Sequence, residues 1–235
     1  MKAIILAGGY GTRISEETDT KPKPMVLLDD KPIIWHLMNS FSKQGVNEFI
    51  IAAGYLGNVL IDYVADLKTN WTVNVLDTGL NTLTGGRIKQ CIESDPSDRF
   101  YVTYGDGLGN VNLRGLLDHH HSMKKIATVT CVRPPARFGV LEKNAGLVTH
   151  FGEKRQSDVG WINGGYFVLE RNVSELIQGD DSSFEIDVMP KIASNGLLAA
   201  FEHEGFWQPM DTLRERNLLA DLATSPTPPW LITER

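Results

Sequence analysis

Two spacings of apolar positions alternate along this chain. Residues 3–7 form an unbroken apolar run, the pattern of a strand covered on both faces of a parallel sheet. Residues 49–53 repeat it, closed by Gly54. Between them Pro32 opens a stretch that puts Ile33, Ile34, Leu37, Met38 and Phe41 on one helical face, and Gly45 ends it. Leu56, Val59, Leu60, Tyr63, Val64 and Leu67 mark a second helix. Residues 72–76 and 100–104 read as further strands, with a glycine-rich segment and a helix between them. Strand alternating with helix predicts an α/β fold built on a doubly wound, mostly parallel sheet.

The rhythm changes after about residue 125. Residues 126–132 read as a strand, followed by short β pieces at 138–141, 147–151 and 161–169, which predict a small β-rich extension of a mixed sheet. Helices are expected near Val173, Val188 and Leu213, and the proline-rich end SPTPPWLITER reads as an extended arm over 226–235.

A formal charge of -6 gives nonspecific binding to nucleic acid or anionic membrane no support, so bound phosphate must be held by a few placed groups. The apolar run after Met1 is too short to span a bilayer and lacks a signal-peptide layout, so a cytoplasmic location is expected. Cys91 and Cys131 lack metal or redox spacing and read as reduced thiols. His119, His120 and His121 point three ways on a helix and cannot share one ion; they read as a solvated face.

The chemistry begins at LAGGYGTR, residues 6–13. Gly8, Gly9 and Gly11 allow a sharp turn that exposes amide N–H groups to an anion, and Arg13 adds a forked cation. Neither the Walker nor the dinucleotide spacing is present, so the loop alone says only that phosphate binds nearby. In the KPKPM that follows, Pro22 and Pro24 predict extended backbone, sending Lys21 and Lys23 to opposite sides, one of them within reach of that phosphate. Asp106 stands in a Gly-Asp-Gly turn straight after a strand, at the sheet end where open α/β folds bind ligands.

These two segments, with DTGLNTLTGGR at 77–87, TYGDG at 103–107, RFGVL at 137–141, WINGGYFVL at 161–169 and FWQPMDT at 206–212, resemble the sugar-phosphate nucleotidyltransferases, and point to the glucose-1-phosphate cytidylyltransferase branch. The blocks lie in order over nearly the whole chain. The resemblance implies a Rossmann-like nucleotidyltransferase fold as one domain over 1–225, nucleotide-binding in 1–125 and sugar-binding in 126–225. It implies transfer of CMP from CTP to a sugar 1-phosphate, by default α-D-glucose 1-phosphate, with release of pyrophosphate.

The family's magnesium aspartates correspond to Asp106 and Asp211, and two hard carboxylates completed by phosphates and water suit Mg²⁺. The resemblance assigns Arg13 to the triphosphate, Lys23 to the α-phosphate and Lys154 to the phosphate of the sugar. Leu6, Gly8, Gly9, Gly11 and Thr12 would hold the nucleotide, together with the stretch 78–86 (Thr78, Gly79 and Gly86 within it) and Arg87. Tyr104, Gly139, Glu153, Asn163 and Gly164 would surround the sugar, with Trp207 as an apolar wall and Trp161 as packing. The family usually carries an insert near residues 67–71, associated with subunit packing, and a proline where Arg155 stands. A homo-oligomer is still expected. The competing readings are the same chemistry with another nucleoside triphosphate or phosphorylated acceptor, and a nucleotide-sugar sensor without catalysis.

Overall fold

The structure, a computed structural model, describes residues 1–134, 139–153 and 160–232. β1 (Lys2–Leu6) runs through the glycine turn into a short helix α1 (Ser15–Thr18), and β2 (Leu27–Leu28) with β3 (Lys31–Pro32) forms a small hairpin ahead of α2 (Ile33–Ser42). β4 (Glu48–Ala53), α3 (Gly57–Ala65), β5 (Thr72–Asp77), α4 (Thr84–Glu93) and β6 (Arg99–Tyr104) continue the alternation. Then come β7 (Gly107–Gly109), α5 (Leu113–Met123), β8 (Ala127–Val132) and a hairpin of β9 (Gly139–Asn144) and β10 (Leu147–Glu153). The long strand β11 (Ile162–Glu170) leads to α6 (Met189–Ser194), β12 (Leu198–His203), β13 (Trp207–Pro209) and α7 (Leu213–Ala223).

The main sheet has the order β12-β8-β11-β6-β1-β4-β5. Neighbours are parallel except β11, which runs antiparallel to both β6 and β8. The expected doubly wound, mostly parallel sheet is present, and the β9–β10 hairpin forms a separate two-stranded sheet.

Period-two alternation explains why β1 is apolar from Ala3 onward. Ala3 and Ile5 face a layer with Leu37, Met38 and Phe41 of α2, while Ile4 and Leu6 face a layer with Ile88 and Cys91 of α4. Each strand residue is therefore buried on one side or the other. α2 ends as its sequence suggests, with Gly45 taking the left-handed φ of 85° after the last turn.

Three local expectations are corrected. The helix expected near Val173 is a 3-10 stretch, Arg171–Leu176, whereas the one expected near Val188 is present as α6, entered through a π-helical turn, Phe184–Val188. The histidine run is not a solvated face: His120 is 1% exposed, bonded through Nδ1 to Thr128 and through Nε2 to Glu170, while His119 lies against Phe201 and His121 meets Arg99. The segment after α7 is docked, not a loose arm, because Trp230 is fully buried between His36 and Phe206 and the Ser40 hydroxyl donates to its carbonyl. No helix among the described residues is long and apolar enough to cross a membrane.

Burial depresses the pKa of His36 and of His120, outweighing the hydrogen bonds to Leu28 and Glu170 that would raise it. Their folded values lie below the unfolded one, so the denatured chain binds more protons as pH drops below about 6.5. The stability they contribute is complete above that pH and is lost on acidification, by at most about 1.4 kcal/mol per group per pH unit. The melting temperature should accordingly fall between pH 7.5 and 5.5, and less steeply in His120→Gln. A flat profile in the parent protein would contradict this.

Candidate active site

A cavity of about 670 Å³ opens at the carboxyl ends of β1 and β6. Its floor is the turn from Leu6 to Thr12 with Lys23 and Pro24, and its far wall is Leu80–Thr84. Gly11 has φ +66°, and a Cβ there would press on Thr18 Cγ2 at 3.0 Å. A Cβ on Gly8 would overlap the Arg87 guanidinium, so a side chain there would have to displace Arg87 from its hydrogen bonds.

Arg87 borders the cavity, yet it spends its donors on protein oxygens: Ala53 O at 2.9 Å, Gly8 O at 3.1 Å, Leu80 O at 3.4 Å and the Thr78 hydroxyl. It therefore clamps the glycine turn to the wall segment. Thr78 and Gly86 are buried behind that wall and Gly79 is an exposed turn, so the stretch 78–86 faces the cavity through its middle instead of its ends. Tyr10, singled out by no motif, spans the mouth through its hydroxyl to Asn81 at 3.2 Å.

Lys23 is the pivot of the site. Pro22 is extended as expected, but Pro24 lies inside a 3-10 turn, Lys23–Met25, that buries Lys23 to 7% exposure. Lys21 turns away to Glu17 at 3.5 Å. The Lys23 ammonium donates to Asp106 Oδ2 at 2.6 Å and to Asp211 Oδ1 at 2.9 Å, bringing together carboxylates from distant parts of the chain.

A small ribbon explains how they meet. β7 pairs antiparallel with β13, Gly107 opposite Pro209 and Gly109 opposite Trp207. Asp106 directly precedes one strand and Asp211 closely follows the other, and Met210 N bonds Asp106 O at 2.8 Å. Beyond Asp211, Thr212 and Glu215 form a capping box that starts α7, and the same Glu215 carboxylate accepts from Asp211 N at 2.8 Å. The Thr-x-x-Glu spacing was the one readable sign of this support.

A second cavity of about 370 Å³ adjoins the first, and Tyr104 and Asp106 line both. Asn163, Gly164 and Trp207 line the second, with the Trp207 indole N–H donating to Gly164 O at 2.7 Å. Gly139 and Glu153 face each other in the β9–β10 ladder. Lys154, and the side chains of Arg13 and Glu153, lie outside the described residues. Trp161 is only half-buried, with the Arg133 guanidinium 4.2 Å over its ring, so it is not the core packing expected. Glu185, also missed, lines the second cavity.

The acidic pair fits a divalent cation. Both carboxylates are partly open, 31% and 24% exposed, and already hold a cationic ammonium between them. Among the described residues no third acidic, histidine or cysteine ligand joins them. Two carboxylates without a full protein cage is the donor set of Mg²⁺, which takes its remaining ligands from phosphate and water.

Residues 2–213 match the family model described as nucleotidyl transferase. The chain is 43% identical to glucose-1-phosphate cytidylyltransferase of Salmonella typhimurium, over 98% of each chain. It is 39% identical to a probable glucose-1-phosphate cytidylyltransferase of Bacillus subtilis, over 93% of this chain and 94% of that one. Among solved structures, HddC from Yersinia pseudotuberculosis complexed with GMP-PN superposes with a TM-score of 0.76 at 26% identity, over 94% of this chain and 98% of that one.

Proposed function

The chain belongs to the nucleotidyl transferase family, and from that premise we propose that it transfers CMP from CTP to α-D-glucose 1-phosphate, giving CDP-glucose and pyrophosphate. The observation that carries the proposal is the place of Lys23, which joins Asp106 and Asp211 where the two cavities meet. A transfer between two bound polyanions needs cations and acidic ligands at that junction.

In this reading the nucleotide occupies the larger cavity, with the amides of the 8–12 turn toward its phosphates and the wall at Leu80–Thr84 beside base and ribose. The sugar occupies the smaller cavity against Trp207 and Asn163. A phosphate oxygen of the sugar forms a bond to the α-phosphorus as the bond from that phosphorus to the bridging oxygen breaks, and pyrophosphate leaves with the electron pair. Lys23 neutralises charge on the α-phosphate; Arg13 and Lys154 take the triphosphate and the sugar phosphate. Mg²⁺ held by Asp106 and Asp211 would supply further charge neutralisation at the reacting phosphates. A cytoplasmic homo-oligomer completes the reading, and the unpaired thiols of Cys91 and Cys131 support the location.

Pyrophosphate release measured over a grid of four nucleoside triphosphates and several sugar 1-phosphates tests it. The expected maximum is CTP with glucose 1-phosphate. Equal rates with every triphosphate, or release only with another acceptor, would overturn the substrate assignment. No release with any pair would overturn the transfer itself.

A further inference from the structure

Glu185 stands at the boundary of two hollows. One is the proposed sugar cavity; the other, of about 330 Å³, shares Asn163 with it and is lined by apolar groups including Val129, Ile162 and Met189. The Tyr104 hydroxyl donates to Glu185 Oε1, and the hydroxyls of Thr84 and Ser183 donate to Oε2 at 2.6 and 3.1 Å.

The direction of these bonds is set by what lies behind them. Each hydroxyl oxygen accepts from an amide: Tyr104 from Asn163 Nδ2 at 3.3 Å, Thr84 from Phe184 N at 2.9 Å, Ser183 from Ile186 N at 3.3 Å. The hydroxyl protons are thus left for the carboxylate.

An ionised carboxylate has about four acceptor positions and no donor. The three hydroxyls leave one position, on Oε1, of a side chain that lines both hollows. No lysine or arginine among the described residues pairs with it. A group so placed accepts a proton donor and repels an anion.

We propose that Glu185 is a specificity-determining residue of the acceptor site, its remaining position on Oε1 taking one hydroxyl of the uncharged ring of a hexose 1-phosphate. The less polar hollow receives the part of the sugar carbon skeleton beside that hydroxyl. This assignment rests on the transferase reading given above and names which acceptors that site prefers.

The test takes the hexose 1-phosphate that turns over best and its four monodeoxy analogues. In the parent protein one deoxy position should lower kcat/KM by about 10- to 100-fold, the range of a hydrogen bond to a charged group. In Glu185→Gln that penalty should shrink to less than about 3-fold, with KM for the nucleotide unchanged within about 2-fold. Should Glu185→Gln fail to fold, Glu185→Asp, which draws the oxygens back by one methylene, must shrink the same penalty. Persistence of that penalty in the variant, or equal rises in both KM values, overturns the assignment while the transferase reading stands. Absence of turnover with every hexose phosphate removes that reading and this assignment with it.

Discussion

Lys23→Ala is expected to lower kcat by about 10²–10³, the loss found when one placed stabiliser of developing charge is removed. Lys23 is set apart from other surface cations by its geometry: it is 7% exposed and holds Asp106 at 2.6 Å and Asp211 at 2.9 Å. Removing it leaves two carboxylates facing each other beside the phosphates they must help to bind. The fold should survive, because both carboxylates keep contact with water. Single-turnover pyrophosphate release, paired with a thermal melt, separates the two effects. A kcat within tenfold of the parent would remove Lys23 from the transfer step. Lys23→Arg should not restore the rate, since the wider planar fork does not fit a pocket shaped for an ammonium.

Trp230→Ala should cost about 3–5 kcal/mol of stability, the usual range for emptying a fully buried aromatic position. For a chain of this size that is a fall in melting temperature of roughly 6–20 °C. The indole fills a space among α2, Phe206 and the end of the chain, edge-on to His36 and 6.1 Å from the Phe206 ring. Deleting residues 226–235 should destabilise at least as much, because the Ser40 hydroxyl also loses its carbonyl partner. Turnover well below the melt should persist in both variants, as Trp230 lines neither active-site cavity. A shift under about 2 °C would restore the reading of this segment as a loose arm.

The misjudged end of the chain shows where sequence reading stops. β1 and β4 are legible because a strand buried on both faces is apolar at every position, which needs no knowledge of its neighbours. α2 is legible because its apolar stripe, proline start and glycine stop agree. A tryptophan among prolines carries no such period, and only the space left by α2 shows that it is buried. The same holds for His120, polar by type, whose partners Thr128 and Glu170 lie on two other strands.

In the site, the glycine turn and Lys23 were singled out from local sequence, and both line the larger cavity. Asp106 and Asp211 were assigned through the family resemblance; their meeting depends on β7 pairing β13, two three-residue strands containing glycine and proline that no propensity argument would pair. Glu185 was invisible because two of the three hydroxyls that hold it, those of Thr84 and Tyr104, come from distant parts of the chain. Arg87 was placed near the nucleotide, but its clamping of Gly8 to Leu80 could not be read from spacing.

The β7–β13 ribbon also decides where this chain can tolerate a change of length. Side chains alternate sides along a strand, so adding or removing one residue between Asp106 and Gly109, or between Trp207 and Asp211, would swing a carboxylate to the opposite side. The bend between α3 and β5 holds no such gauge, and lengthening it disturbs only loop closure, whose cost grows slowly with length. Changes of length should therefore be tolerated at the periphery of the fold, but not in the few residues that space the two aspartates along the ribbon.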